Sequence, residues 1–267
     1  MRIAIEHETY YGFNRPAQYS IQYLRLTPRA DGSQIVQQWS LSTAGRLTAW
    51  TDGFGNLTHV SVQEGTHSET PVIVRGVVET IDTAGVVPAD DGLPPVMFLR
   101  ESRFTHVDDA IRALALPIAE RAEDEGPIAA LHALMMTIHE ALSYRPGSTH
   151  VETGAAEALA QGVGVCQDHA HLFIAGCRVL GVPARYVSGY LLPSEGESVA
   201  THAWAEAFVD DLGWISFDAA NNVSATEAYV RLAVAADYAG AAPIRGMRSG
   251  GGEENMSVRV NVLKDGQ

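Results

Sequence analysis

The sequence predicts an α+β fold, with a β-rich N-terminal unit followed by a core in which a helix packs on an antiparallel sheet. Three observations carry this reading. Residues 1 to about 83 read as short strands separated by turn residues. Two later stretches, near 128–142 and 166–180, place apolar residues at helical spacing. Residues 201–218 alternate with period two on either side of a turn.

In the first stretch the clearest strands are Ile3–Ile5, Ile35–Leu41, Leu57–Val62 and Val72–Ile81. Asp31-Gly32, Asp52-Gly53 and Gly65 punctuate them. A small antiparallel sandwich over residues 1–83 is expected, with a structural role. Residues 84–104, carrying Pro88, Pro94 and Pro95, read as a linker. Residues 105–267 form the second domain. It opens with helices, one of them marked by the stripe Ile128, Leu131, Leu134, Met135, Ile138 and Leu142, which Pro146-Gly147 ends. It closes with a strand, because Met256, Val258, Val260 and Val262 alternate.

The chemistry gathers around one cysteine. From Cys166 an apolar face runs through Ala170, Phe173, Ile174, Cys177 and Leu180, and Gly181 and Pro183 then stop the helix. Cys166 therefore stands in the first helical turn, after a glycine turn (Gly162, Gly164) that would let a substrate backbone approach. There the helix dipole and orphan N–H groups favour a thiolate and can hold an oxyanion. A lone cysteine is more often a small buried hydrophobe, and mid-helix Cys177 is read that way. What separates Cys166 from it lies downstream. Thr201–Val209 places His202, Trp204, Glu206 and Phe208 on one face, and Trp214–Asp218 alternates again after Asp210-Asp211-Leu212-Gly213. A hairpin would thus carry His202 on one strand and Asp218 on the next, as base and orienting carboxylate for a Cys166 nucleophile. Same-face placement needs paired residue numbers with an even sum, hence an odd-length turn or a bulge.

These segments carry a resemblance. GVCQDHAHLFIAGCRVLGVPARYVSGYL (164–191), THAWAEAF (201–208) and GWISFDAAN (213–221) resemble the transglutaminase-like core, in its bacterial branch of cysteine protease candidates. LRLTPR (24–29) and TDGFGN (51–56) resemble that branch's N-terminal β-region, and residues 237–254 its C-terminal tail. The resemblance implies a papain- or transglutaminase-like core, a triad of Cys166, His202 and Asp218, and chemistry at amide or related acyl bonds. It does not imply one reaction, since cross-linkers, proteases, amidases and inactive relatives all share the core. Tyr144 precedes a turn upstream of the nucleophile and is a candidate second oxyanion donor, as aromatic residues are in comparable relatives. Gln167 is a candidate for a substrate carbonyl, and Trp204 is either a cleft wall or core.

A zinc site of Cys166, His169, His171 and His202 is disfavoured, because i, i+3 and i+5 on one helix do not converge. Asp168 in the first turn reads as a capping charge. No cofactor motif is visible: neither a P-loop, nor a dinucleotide fingerprint, nor an EF-hand loop. The net charge of −14 on 267 residues argues against nucleic acid and anionic membrane partners. No apolar run reaches the ~20 residues of a spanning helix, and two cysteines are too few for a disulfide framework. A cytoplasmic protein acting on peptide or protein substrates through a thioester is expected. The alternatives are a binding or scaffold protein with a vestigial core, and acyl transfer from a thioester cofactor, as in arylamine acetyltransferases. No phosphate-cradling motif supports the last.

Overall fold

The computed structural model describes residues 1–87, 93–193 and 201–266, so the expected linker residue Pro88 lies outside the described residues. The strands are β1 (Arg2–Leu24), β2 (Gln34–Thr43), β3 (Arg46–Thr51), β4 (Leu57–Thr80) and β5 (Val86–Val87). Helices α1 (Asp109–Glu125) and α2 (Pro127–Ala141) follow, then β6 (Ser143–Tyr144), α3 (Ala155–Gln161), β7 (Val163–Gly164) and α4 (Cys166–Val179). The chain continues through β8 (Ala184–Leu191), β9 (Thr201–Val209), β10 (Gly213–Phe217) and β11 (Tyr229–Ala235). It ends with α5 (Tyr238–Ala241), β12 (Ile244–Gly250) and β13 (Glu254–Lys264).

The first sheet is built on two very long strands, β1 of 23 residues and β4 of 24. The segments expected as separate strands at 57–62 and 72–81 are one strand. Gly65, at φ +79, takes the backbone through an irregularity instead of a turn, where Ala17 faces His67 and Tyr19 faces Glu64. Strands β2 and β3 pair with the two halves of β4, and β12 and β13 with the two halves of β1. The expected sandwich is therefore a single six-stranded antiparallel sheet. Its second layer is the core sheet. Ile3, Ile5, Leu24, Val72, Val74 and Val78 share one apolar cluster with Tyr190, Val230 and Leu232. Alone, that face would stand in water.

Two boundaries differ from the sequence reading. The C-terminal strand leaves the core and zips onto β1, from Ile3 opposite Lys264 to Phe13 opposite Glu254. Period-two alternation identifies a strand but carries no information about its partner, and Val260 and Val262 find theirs in the first sheet's core. Parts of the stretch expected as linker are built into the core. Val86–Val87 pairs with β10 as an edge strand, and Phe98 is buried edge-on against Trp214.

The core sheet runs β11-β8-β9-β10-β5, antiparallel throughout. Helix α4 packs on it through Ala170, Phe173, Ile174 and Cys177, all buried. Its end is a Schellman turn: Val182 N–H donates to the Cys177 carbonyl (2.8 Å), Gly181 N–H to that of Arg178 (3.1 Å), and Gly181 sits at φ +72. The apolar stripe of 128–142 is α2, packed beside α1 and α4. No helix among the described residues is long and apolar enough to cross a membrane.

Candidate active site

Helix α3 ends at Gly162 in the left-handed region (φ +65), and two residues of β7 then lead straight into α4. Val165 is the N-cap and Cys166 the first helical residue, partly buried and a free thiol. Asp168 caps the start of the helix. Its Oδ2 accepts the Val165 N–H at 2.8 Å and the Thr149 hydroxyl at 2.6 Å. Burial pushes the Asp168 carboxyl up despite those two bonds. The space over Gly164 is filled by Asp168 itself, since a Cβ there would lie 2.7 Å from the Asp168 Cβ. This glycine admits the capping carboxylate, not a substrate backbone as the sequence suggested.

His202 lies on β9, where Gly189 of β8 is its register partner. Across the hairpin Val209 pairs with Gly213, and the register continues to Phe217 opposite Ala205, which turns Asp218 toward the face of His202. His202 Nε2 and Asp218 Oδ2 are 2.6 Å apart. Cys166, at the start of α4, lies near enough to the same imidazole to act on its charge. Burial would lower the His202 pKa, but the bond to Asp218 and the neighbouring Asp218 and Cys166 charges outweigh it and lift the group to about 10.

Asp218 is fully buried. Oδ2 also receives the Asn221 amide and the Tyr229 hydroxyl, each at 2.8 Å. Oδ1 receives the Ala220 and Asn221 N–H groups at 3.1 and 3.3 Å. Burial alone would raise this carboxyl, and its donors hold it below the ordinary carboxylate value.

The other candidates divide. Tyr144 is brought to the site: β6 pairs in parallel with β7, so Tyr144 sits opposite Gly164 with its ring half in solvent. Burial and the charges of Cys166 and Asp218 raise its phenol. Gln167 is not brought in, because its side-chain amide donates to the Val151 carbonyl at 3.3 Å. Trp204 is core behind the site. It is 2% exposed, stacked on His202 with centroids 6.2 Å apart and edge-on to Tyr229. The histidines once weighed for zinc are engaged elsewhere. The ring nitrogens of His169 meet the Val165 and Leu142 carbonyls (2.9 and 3.1 Å). His171 accepts the Tyr238 N–H and stacks on Phe104, and burial lowers its pKa to about 3.

Family comparisons agree with this architecture. The model of the transglutaminase-like superfamily matches residues 112–219, and that of the bacterial transglutaminase-like N-terminal region matches residues 3–79. The Mycobacterium leprae protein ML0607 is 32% identical over 98% of this chain and 99% of its own length. The chain belongs to the bacterial transglutaminase-like family. The Mycobacterium tuberculosis protein Rv2569c, another relative, is 30% identical over 98% of this chain and 92% of that one. A crystal structure of a cysteine protease candidate from Cytophaga hutchinsonii has a TM-score of 0.81 at 24% identity, covering 100% of this chain and 91% of that one. The two chains share a fold over the whole of this one.

Three supports of the site escaped the sequence reading. Asn221 had a local signal, since an Asp and an Asn three residues apart mark a turn that brings them together. Tyr229 and Asp168's partner Thr149 had none, because one arrives on another strand and the other from the loop before α3.

Proposed function

We propose that this chain is a cysteine-nucleophile enzyme that hydrolyses amide bonds of peptides or proteins through a thioester. The observation that supports this most directly is the 2.6 Å bond between His202 and Asp218, with the Cys166 thiol beside the same imidazole at the start of α4. In the acylation step the Cys166 sulfur attacks the amide carbonyl carbon, forming a C–S bond and an oxyanion. The Cys166 backbone N–H, with Tyr144 as second donor, receives that oxyanion in this reading. As the C–N bond breaks, imidazolium His202 gives its proton to the leaving amine. Neutral His202 then takes a proton from water, whose oxygen attacks the thioester. The C–S bond breaks to release the acid and restore the starting pair. Amide plus water gives acid plus amine. An amine in place of water would complete transfer with the same residues. Free thiols at Cys166 and Cys177 suit a reducing compartment such as the cytoplasm.

The test is incubation with a peptide library and a labelled primary amine, reading cleavage, deamidation and amine incorporation together. Cleavage or deamidation that vanishes in Cys166→Ala is expected. Amine incorporation in its place would convert the reading to transfer. A folded protein whose Cys166 resists iodoacetamide would make the core a non-catalytic scaffold.

A further inference from the structure

Among the described residues, strand β11 is the outer member of the core sheet and pairs along one side, with β8. Side chains close its other edge. The Gln34 carboxamide accepts the Arg231 N–H at 2.9 Å and donates to the Arg231 carbonyl at 2.8 Å. Asn56 does the same at Val234, with both contacts at 2.8 Å. Each amide thus imitates one residue of a neighbouring strand, and both come from the N-terminal sheet region. At the head of β11, Tyr229 donates its hydroxyl to the Asp218 oxygen that also holds His202. Its ring stands at 81° to that of Trp204, 5.3 Å away. Trp204 in turn presses on Gly189 so closely that a Cβ there would lie 2.6 Å from its ring.

We propose that Tyr229 is a positioning residue for the Asp218–His202 pair, and that the N-terminal sheet, by holding β11, forms part of the catalytic unit. The inference rests on the enzymatic reading given above. One carboxylate oxygen offers about two lone-pair sites, yet Oδ2 meets three donors: His202, Asn221 and Tyr229. They share its charge. Tyr229 therefore fixes the carboxylate and also moderates its pull on the His202 proton, which must leave with the amine. The phenol remains protonated, because burial and the Asp218 charge push its ionisation far above the usual range. The other titratable groups facing the pair are Cys166 from α4 and Tyr144 from β6.

The test is Tyr229→Phe in the full chain, with melting temperature recorded alongside kinetics. Without the phenol hydroxyl, Asp218 binds imidazolium more strongly. The alkaline limb of kcat/KM should then move up by about half to one pH unit, with kcat several-fold lower and KM unchanged. A readout independent of substrate is the NMR titration of His202 in Cys166→Ala, which should shift upward when Tyr229→Phe is added. A lower melting temperature with neither shift would reduce Tyr229 to a structural residue and overturn its role. Gln34→Met, remote from the reacting groups, should lower kcat per folded molecule. Unchanged kcat there would remove the N-terminal sheet from the catalytic unit. If the wild type turns over no amide, the enzymatic reading fails, while the titration still decides whether Tyr229 governs the pair.

Discussion

Val209 lies directly opposite Gly213, across a turn of three residues, Asp210, Asp211 and Leu212. The pairing sum of 422 is even, so every even-numbered residue of β9 shares a face with even-numbered residues of β10 and its extension. His202 and Asp218 meet because of that parity. Two left-handed residues close the hairpin, Asp211 in the turn at φ +67 and Gly213 at the start of β10 at φ +91. Nothing lies within 4 Å of a Cβ built on Gly213, so the backbone angle alone demands glycine there. Gly213→Ala should therefore cost about 1–2 kcal/mol, read as a lower urea midpoint with unchanged slope. Asp211→Gly should be neutral or stabilising.

Stability should depend on pH through His202. Its pKa rises from 6.5 to about 10 on folding, so its contribution is complete below 6.5 and disappears as pH climbs through 10. Melting temperatures measured from pH 6.5 to 10 should decline. His202→Gln should flatten that decline. An equal slope in the variant would place the titrating group elsewhere.

The two cysteines should separate cleanly. Cys177 is fully buried, and burial raises its thiol far above the ordinary range. In the folded protein iodoacetamide should label Cys166 alone, with Cys177 modified only after denaturation. Cys177→Ala should lower stability by about 1 kcal/mol and leave activity per folded molecule intact, whereas Cys166→Ala should do the opposite.

Beneath the site lies a charged pair out of reach of water. Arg185 Nε and Glu206 Oε2 are 2.6 Å apart with both side chains 0% exposed, and Arg185 lies over the Trp214 ring. Arg231 joins Glu206 from β11 and meets Asp31 of the N-terminal region. Glu206→Gln takes away the charge that both guanidinium groups share. A loss on the order of 3–5 kcal/mol is expected, measured by chemical denaturation. A change under 1 kcal/mol would mean that the network relaxes around an amide.

Much of this was legible in the sequence, for definite reasons. Helical spacing after Cys166 located α4, Gly181 located its end, and alternation through 201–218 located the hairpin and its parity. Periodicity reveals which face a residue occupies, but not what lies against that face. The tail strand 254–264 was visible as a strand, yet its bond to β1 was not. Gln34 and Asn56 are ordinary polar residues near turns in the sequence, because their role exists only once β11 arrives 197 and 178 residues later. Trp204 had two readings of equal weight, and only its burial against Gly189 and Tyr229 chose between them.

The zipping of β13 onto β1 sets a schedule for synthesis. A ribosome delivers residues 3–13 long before residues 254–264, and between those moments β1 has an open side beside apolar Ile3 and Ile5. The first sheet cannot be completed before residues 254–264 emerge, and the exposed strand is a template for wrong partners until they do. Nascent chains stalled before residue 254 should therefore bind strand-capturing chaperones, and released chains should not.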